Sequence, residues 1–209
     1  MILSYADVAA RVLAAPPRLG SVRLVAVDGP SGAGKTHFAE RLAASLTALT
    51  GTPVPIVHTD DLLDGWEDQL TFWPRLEQWV LAPLRAGRPG RYRVYDWHAA
   101  RFRDAWHPVP PAPVVILEGM SSARAEIRPE LSLAVFVTAP AHVRLRRVLA
   151  RDGETVRPYL RRWRLVEERH FAADATARHA DLVVDGAPHP ADDRVPSHDP
   201  LTHFVSIDR

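Results

Sequence analysis

The 209-residue chain has no cysteine and no asparagine, and only one of its 26 Lys and Arg residues is a lysine. Without cysteine, disulfides, thiolate catalysis and Cys-based zinc sites are excluded. Charge of one sign is also missing: 26 basic residues face 25 acidic ones, for a formal net charge of +1, so nothing draws the chain as a whole to nucleic acid or to a membrane. No apolar run is long enough to cross a bilayer. The opening Met-Ile-Leu-Ser-Tyr-Ala-Asp has no basic region followed by a long apolar stretch, so no secretory signal is read there and a cytoplasmic location is expected. What is present is ordinary for a soluble globular protein: 46% hydrophobic and 24% charged residues, enough to bury a core without staples.

Coarse periodicity alternates strands and helices. Residues 4–15 read as a short helix with Ser4 as N-cap, closed by Pro16 and Pro17. Val22–Asp28 (VRLVAVD) is a buried strand, followed by a glycine-rich turn and an Ala/Leu-rich helix from Thr36 to about Leu49. Val54–His58 is a second strand and Asp60–Trp66 a polar loop; Glu67–Arg85 reads as helical, bent or restarted at Pro74. Arg91–Trp97 is a short strand or an extended segment. Val114–Leu117 and Leu133–Thr138 are further strands, Ala141–Arg151 and Pro158–Ala177 helices, and Leu182–Val184 a short fifth strand. From about residue 187 the chain is rich in Pro, Asp and His and reads as a tail with little core of its own, in which His189, His198 and His203 are solvated polar residues. This alternation implies an α/β fold with a parallel sheet between helices, in which ligands sit beyond the carboxyl ends of the strands.

The strongest motif is Gly29-Pro30-Ser31-Gly32-Ala33-Gly34-Lys35-Thr36, a full G-x-x-x-x-G-K-[ST] between a strand and a helix. Its glycines let backbone N–H groups converge on phosphate oxygens, and the helix N-terminus adds partial positive charge. Lys35 is the lone lysine of an arginine-rich chain, placed where a mobile ammonium reaches the β- and γ-phosphates. The Thr36 hydroxyl completes the shell of a Mg²⁺ ion, and Glu118, ending VVILEG, is a second carboxylate that holds the ion through water or orients the loop. ATP and Mg²⁺ are therefore the expected cofactors.

A guanine-reading Asn-Lys-x-Asp element is absent, since there is no asparagine and the lysine is already used. A small-molecule kinase needs a base near the acceptor hydroxyl, groups that hold the acceptor, and cations that follow the moving phosphoryl group. Asp60 and Asp61 follow the second strand in IVHTDDLLDGW; Asp60 is read as the base and Asp61 as an acceptor contact, against the alternative of a solvated acidic turn. Arg144, Arg147 and Arg151 share one helical face of VRLRRVLARD and suit a lid that excludes water, with Arg147 and Arg151 counted as catalytic. Five of the six tryptophans lie between the second and third strands. There Tyr95, Asp96, His98 and Arg101, in YRVYDWHAAR, are candidate acceptor-binding residues, the aromatics stacking a planar base.

With VDGPSGAGKT, HTDDLL, YDWH, ILEG, RLRRVLARD and ADLVVDG in this order, residues 21–186 resemble the uridine kinase-like nucleoside kinases of the P-loop superfamily. The resemblance implies a three-layer α/β/α sandwich on a five-stranded parallel sheet with a mobile lid, and transfer from ATP–Mg²⁺ to a nucleoside such as uridine or cytidine. It places Asp60 as catalytic or acceptor-orienting carboxylate and Tyr95 and His98 near the nucleoside. The implied layout is a kinase domain over 1–186, with an acceptor segment about 60–107 and a lid about 144–165, followed by a tail over 187–209. The lid is shorter than that family's, lacking a Glu-Arg-Gly-Arg run, and His98 and Arg101 are closer to the Tyr-Asp pair. Nicotinamide riboside, pantothenate or a sugar remain alternative acceptors, and a nucleotide-binding regulatory protein without transfer the alternative class.

Overall fold

A computed structural model describes residues 1–188 and 199–207. Strand β1 (Ile2–Ser4) runs into helix α1 (Tyr5–Ala14), where the Ser4 hydroxyl accepts the Asp7 N–H at 3.0 Å and caps the first turn. Strand β2 (Arg23–Asp28) leads through the phosphate loop into α2 (Lys35–Thr50), which ends at Gly51 in the left-handed region. Strand β3 (Ile56–His58) turns tightly through Thr59–Leu62. Helix α3 (Trp73–Leu76), a π-helical turn (Glu77–Leu81) and α4 (Ala82–Arg85) then lead to an antiparallel hairpin, β4 (Gly90–Asp96) and β5 (Arg101–Val109). The rest follows as β6 (Val114–Glu118), β7 (Leu131–Thr138), α5 (Ala141–Asp152), α6 (Arg157–Asp174), α7 (Thr176–His179), β8 (Leu182–Asp185) and β9 (His203–Ser206).

The main sheet has the order β1-β9-β8-β7-β2-β6-β3. The five strands from β8 to β3 are parallel, as expected, and β9 and β1 extend the sheet antiparallel. The central strands are apolar on both faces because both are covered. Val25 and Val27 of β2 pack with α1 and α2, while Leu24 and Ala26 join the cluster of Leu62, Phe72, Leu76 and Leu84 on the other face. Since β2 lies between β6 and β7, Asp28 and Glu118 reach the same carboxyl edge, and β3 brings His58 beside Glu118.

Three expectations need correction. Helix over 67–85 starts only at Trp73 and widens into a π turn before Pro83, where Ala82 N–H bonds back to the Glu77 carbonyl. Pro83 has no N–H and its ring crowds the preceding turn, which a wider turn relieves. The extended segment at 91–97 has a partner strand over 101–109, unrecognised because most of β5 is exposed. Phe102 and Trp106 share one face of β5 and pack on Trp79 at 5.9 and 5.1 Å between ring centroids. Finally, the segment read as tail returns to the sheet: Phe204, Val205 and Ser206 of β9 are buried. Phe204 contacts Tyr5 and Phe38 at about 5 Å, so the aromatic contact outweighs the polar composition around it. His189 and His198 lie outside the described residues; His203 opens β9 and is half-buried.

Candidate active site

The phosphate loop leaves β2 at the middle of the sheet and ends at Gly34, the N-cap of α2. Gly32 has φ +77°, and a Cβ there would sit 2.5 Å from the Arg144 carbonyl oxygen, so only glycine lets α5 approach this closely. Gly186, just after β8, is pressed against the Ala33 carbonyl with no room for a side chain. The loop is therefore held between the first turn of α5 and the end of β8. Arg147 stitches these pieces together, donating to the Gly186 carbonyl at 2.9 Å and to the Gly32 carbonyl at 3.3 Å. Lys35 Nζ donates to the Pro30 carbonyl at 3.3 Å.

A cavity of about 200 Å³ opens over this loop, lined by Lys35, Thr36, Asp60, Glu118, Arg147 and Arg151 together with Ser31, Gly32 and Gly34. Glu118 is buried and bonds His58 Nδ1 at 2.6 Å. Burial pushes its pKa up, but His58, Lys35 and the Thr36 hydroxyl more than offset that and hold it below the usual carboxylate range. The same bond to Glu118 raises His58 against the effect of burial. Asp60 opens on the cavity and is solvent-exposed there, with protein on its other sides. Lost hydration raises its pKa, Lys35 opposes this and Glu118 adds to it; the net direction is upward. Asp61 is turned the other way: Tyr92 bonds its carboxylate, and His58 and His107 stand nearby, yet burial leaves its pKa raised.

Of the residues expected to act, six therefore share one cavity. Arg144 does not join them. Its Nε donates to the Ala139 carbonyl at 3.0 Å and its Nη1 lies 3.9 Å from Glu167, because the helical face it shares with Arg147 begins under the loop rather than over the cavity. The hairpin residues are also apart. Tyr95 is buried against Phe102 and Trp97, and Asp96 accepts the N–H groups of His98 and Ala99 at 3.1 and 3.0 Å, fixing the β4–β5 turn. His98 and Arg101 are exposed at that turn. The sequence reading passed over His58, whose position one strand-end from Glu118 is set only by the pairing of β3 with β6. It also passed over Asp28, at the end of β2 (0% exposed), which accepts N–H groups from Gly29, Ser121 and Ala123 and ties the phosphate loop to the turn after β6. The available signal was its place, a carboxylate ending an apolar strand directly before the glycine-rich loop.

Among the described residues no group of three or more His, Asp or Glu is arranged to hold a metal alone. The oxygen donors beside Lys35 are the Thr36 hydroxyl and the Glu118 carboxylate, which are bonded to each other. A hard cation that keeps several waters and shares phosphate oxygens fits such a pair. No helix of the described chain is long and apolar enough to cross a membrane.

No protein-family model matches the chain. An inorganic pyrophosphatase of Arabidopsis thaliana, TTM1, is 33% identical over 156 residues, which are 71% of this chain but only 23% of that protein. The uridine kinase of Deinococcus deserti is 29% identical over 188 residues, covering 79% of this chain and 89% of the kinase. A Bacillus stearothermophilus structure described as a possible uridine kinase superposes with a TM-score of 0.63 at 19% identity, covering 86% of this chain and 96% of the other. The phosphate loop between a parallel strand and a helix agrees with these similarities: the chain resembles the uridine kinase-like P-loop kinases in sequence and shares the fold of the Bacillus structure.

Proposed function

We propose that the protein transfers the γ-phosphoryl group of ATP to a hydroxyl of a small molecule, with a nucleoside as the acceptor. The observation that carries this reading is the single cavity that gathers Lys35, Thr36, Asp60, Glu118, Arg147 and Arg151 at the carboxyl edge of the sheet. In such a reaction the protein has little covalent chemistry to do, and positioning and charge supply most of the rate. The loop from Gly29 to Thr36, including Pro30, Ser31, Gly32, Ala33 and Gly34, cradles the phosphates, and Lys35, held by the Pro30 carbonyl through one N–H, reaches phosphate oxygen with the others. Thr36 and Glu118 would hold Mg²⁺, which would supply positive charge against the phosphates. Arg147 and Arg151 place guanidinium groups over the moving phosphoryl group. Asp60, its pKa raised by lost hydration, orients the acceptor hydroxyl and takes its proton.

The two ends of the reactants are assigned as follows. A second cavity of about 390 Å³ shares Gly34 and Arg147 with the first and continues past His37, Phe38, Gly186 and His203; it suits the base of the nucleotide. The acceptor lies on the Asp60–Asp61 side, toward the β4–β5 hairpin. There Trp66 contacts Trp97 at 5.1 Å and stacks on Tyr159 at 5.2 Å, aromatic surface of the kind that takes a planar ring. Asp61, Tyr95, Asp96, His98 and Arg101 support this side of the site, the last two from the hairpin turn.

The test is ADP release from ATP–Mg²⁺ across uridine, cytidine, purine nucleosides, nicotinamide riboside, pantothenate and sugars, with Lys35→Ala as control. Release that depends on one acceptor class and on Lys35 is the expected result; in the variant turnover falls by about 10³-fold or more with the fold intact. Phosphate release without any acceptor would instead make water the acceptor, a reading that the similarity to plant pyrophosphatases motivates. Tight ATP binding with no release would favour a regulatory nucleotide-binding protein, as the short lid suggests.

A further inference from the structure

Glu167 lies on α6, far from the cavity in sequence, and is 1% exposed. Its Oε1 accepts the backbone N–H of Ser31 at 2.8 Å, the Ser31 hydroxyl at 2.5 Å and the indole N–H of Trp163 at 2.9 Å. Its Oε2 is buried with no hydrogen-bond partner, and the nearest cation is Arg144 Nη1 at 3.9 Å. A carboxylate taken out of water and half-satisfied is costly, so the contacts on Oε1 have to be strong ones. All of them fall on Ser31 or on the tryptophan that itself donates to Ser31 Oγ at 2.9 Å.

The atom on the other side of the same peptide explains what this contact controls. The Pro30 carbonyl belongs to the peptide unit whose N–H is Ser31's, and it is the group that receives Lys35 Nζ. In a trans peptide the carbonyl and the N–H point to opposite sides. Glu167 therefore holds the N–H outward, toward α6, and so turns the carbonyl inward to Lys35. A flipped peptide would point its N–H at the site and leave the ammonium without this partner.

We propose that Glu167 is a positioning residue: by fixing the Pro30–Ser31 peptide it places the Lys35 ammonium and the lip of the phosphate loop for nucleotide binding. This rests on the phosphoryl-transfer reading only in that the bound nucleotide is ATP. Trp163 keeps the carboxylate on Ser31, and α6 thereby sets the loop from behind.

The test is a double-mutant cycle read by calorimetric titration of ATP–Mg²⁺, with thermal unfolding of each variant. Glu167→Met keeps the volume and removes the acceptor; Glu167→Gln keeps an oxygen for Ser31. Glu167→Met is expected to weaken ATP binding about tenfold and to lower kcat, while Glu167→Gln retains most of both. In the Lys35→Ala background Glu167→Met changes ATP affinity no further, because the carbonyl has no ammonium left to position. The sign is informative: removing a negative charge beside an anion site would by Coulomb's law strengthen binding. Tighter or unchanged ATP binding in Glu167→Met overturns the proposal, as does an equal loss in both backgrounds. Should Glu167→Met not fold, Ser31→Ala in the same cycle reads the coupling through the hydroxyl, with a loss of about threefold expected in the Lys35 background alone. Absence of turnover in the wild type on every acceptor would fail the kinase reading and leave the ATP cycle standing.

Discussion

Asp60 and Asp28 are two aspartates at strand ends with opposite surroundings, and each yields a prediction. Asp60 faces the cavity, Lys35 and Glu118. Asp60→Asn keeps the size of the side chain and removes its basicity, so ATP affinity is expected to persist while transfer falls by about 10²-fold or more. Because the raised pKa belongs to a group that must be ionised to accept a proton, wild-type turnover falls on the acid side at a pH above the ordinary carboxylate range. A pH–rate profile with a midpoint at or below that range would contradict this.

Asp28 is enclosed at the root of the loop, and burial pushes its pKa up to about 7 in spite of the three N–H groups it accepts. The folded protein then holds a proton between the ordinary carboxylate range and about 7 that the unfolded chain has released. Stability from this group is fully present below that window and falls as pH rises through it. Urea unfolding at pH 5 and pH 8 should show the loss, and Asp28→Asn should remove the slope. The variant also turns an amide against an N–H donor, at a cost of about 1–3 kcal/mol. Of these two residues the sequence pointed only to Asp60, because a doublet after a strand is visible in one dimension. The three donors that define Asp28 come from two segments about 93 residues apart and meet only in the fold.

At the scale of elements, the strands that carry the loop and Glu118 were legible because continuous Val/Ile/Leu runs of this length have few other uses. Strand β9 was not, since four residues after a Pro- and Asp-rich stretch carry no period. Its anchor is Phe204, wedged with Tyr5 and Phe38 on the face where α1 and α2 pack. Phe204→Ala is expected to destabilise the protein by about 3 kcal/mol, measured by denaturant titration, and to loosen the wall of the larger cavity. A loss under about 0.5 kcal/mol would mean that β9 is peripheral in solution. The β4–β5 hairpin was half legible: β4 carries Tyr92, Val94 and Tyr95 in an extended run, whereas β5 buries so little that its pattern is polar.

Seen across the whole molecule, α6 is the member that meets every part of the site. Glu167 touches the phosphate loop, Trp163 meets both the loop and Trp66, and Tyr159 stacks on Trp66 beside the hairpin's Trp97. The phosphate loop and the aromatic cluster of Trp66 and Trp97 are thus joined by one helix. Trp97 is 38% exposed beside Trp66, on the side proposed for the acceptor, and contributes little to the core. Trp97→Ala is expected to raise the acceptor KM by about tenfold with the KM for ATP unchanged, measured in initial-rate assays. Equal changes in both constants would place Trp97 in general stability rather than in acceptor binding.

The sequence alone determined the phosphate-loop motif and the layered α/β architecture, because both are written in contiguous segments: eight residues between a strand and a helix, and apolar runs at regular intervals. Tertiary structure decided which charges serve the cavity and which serve the scaffold. Arg144 and Arg147 are three residues apart on one helix, yet one is turned under the loop and the other across it. Glu167, with no motif around it, holds the phosphate loop. Burial and the partner across the sheet set the role of a charge, and neither quantity exists until strands separated by tens of residues have paired.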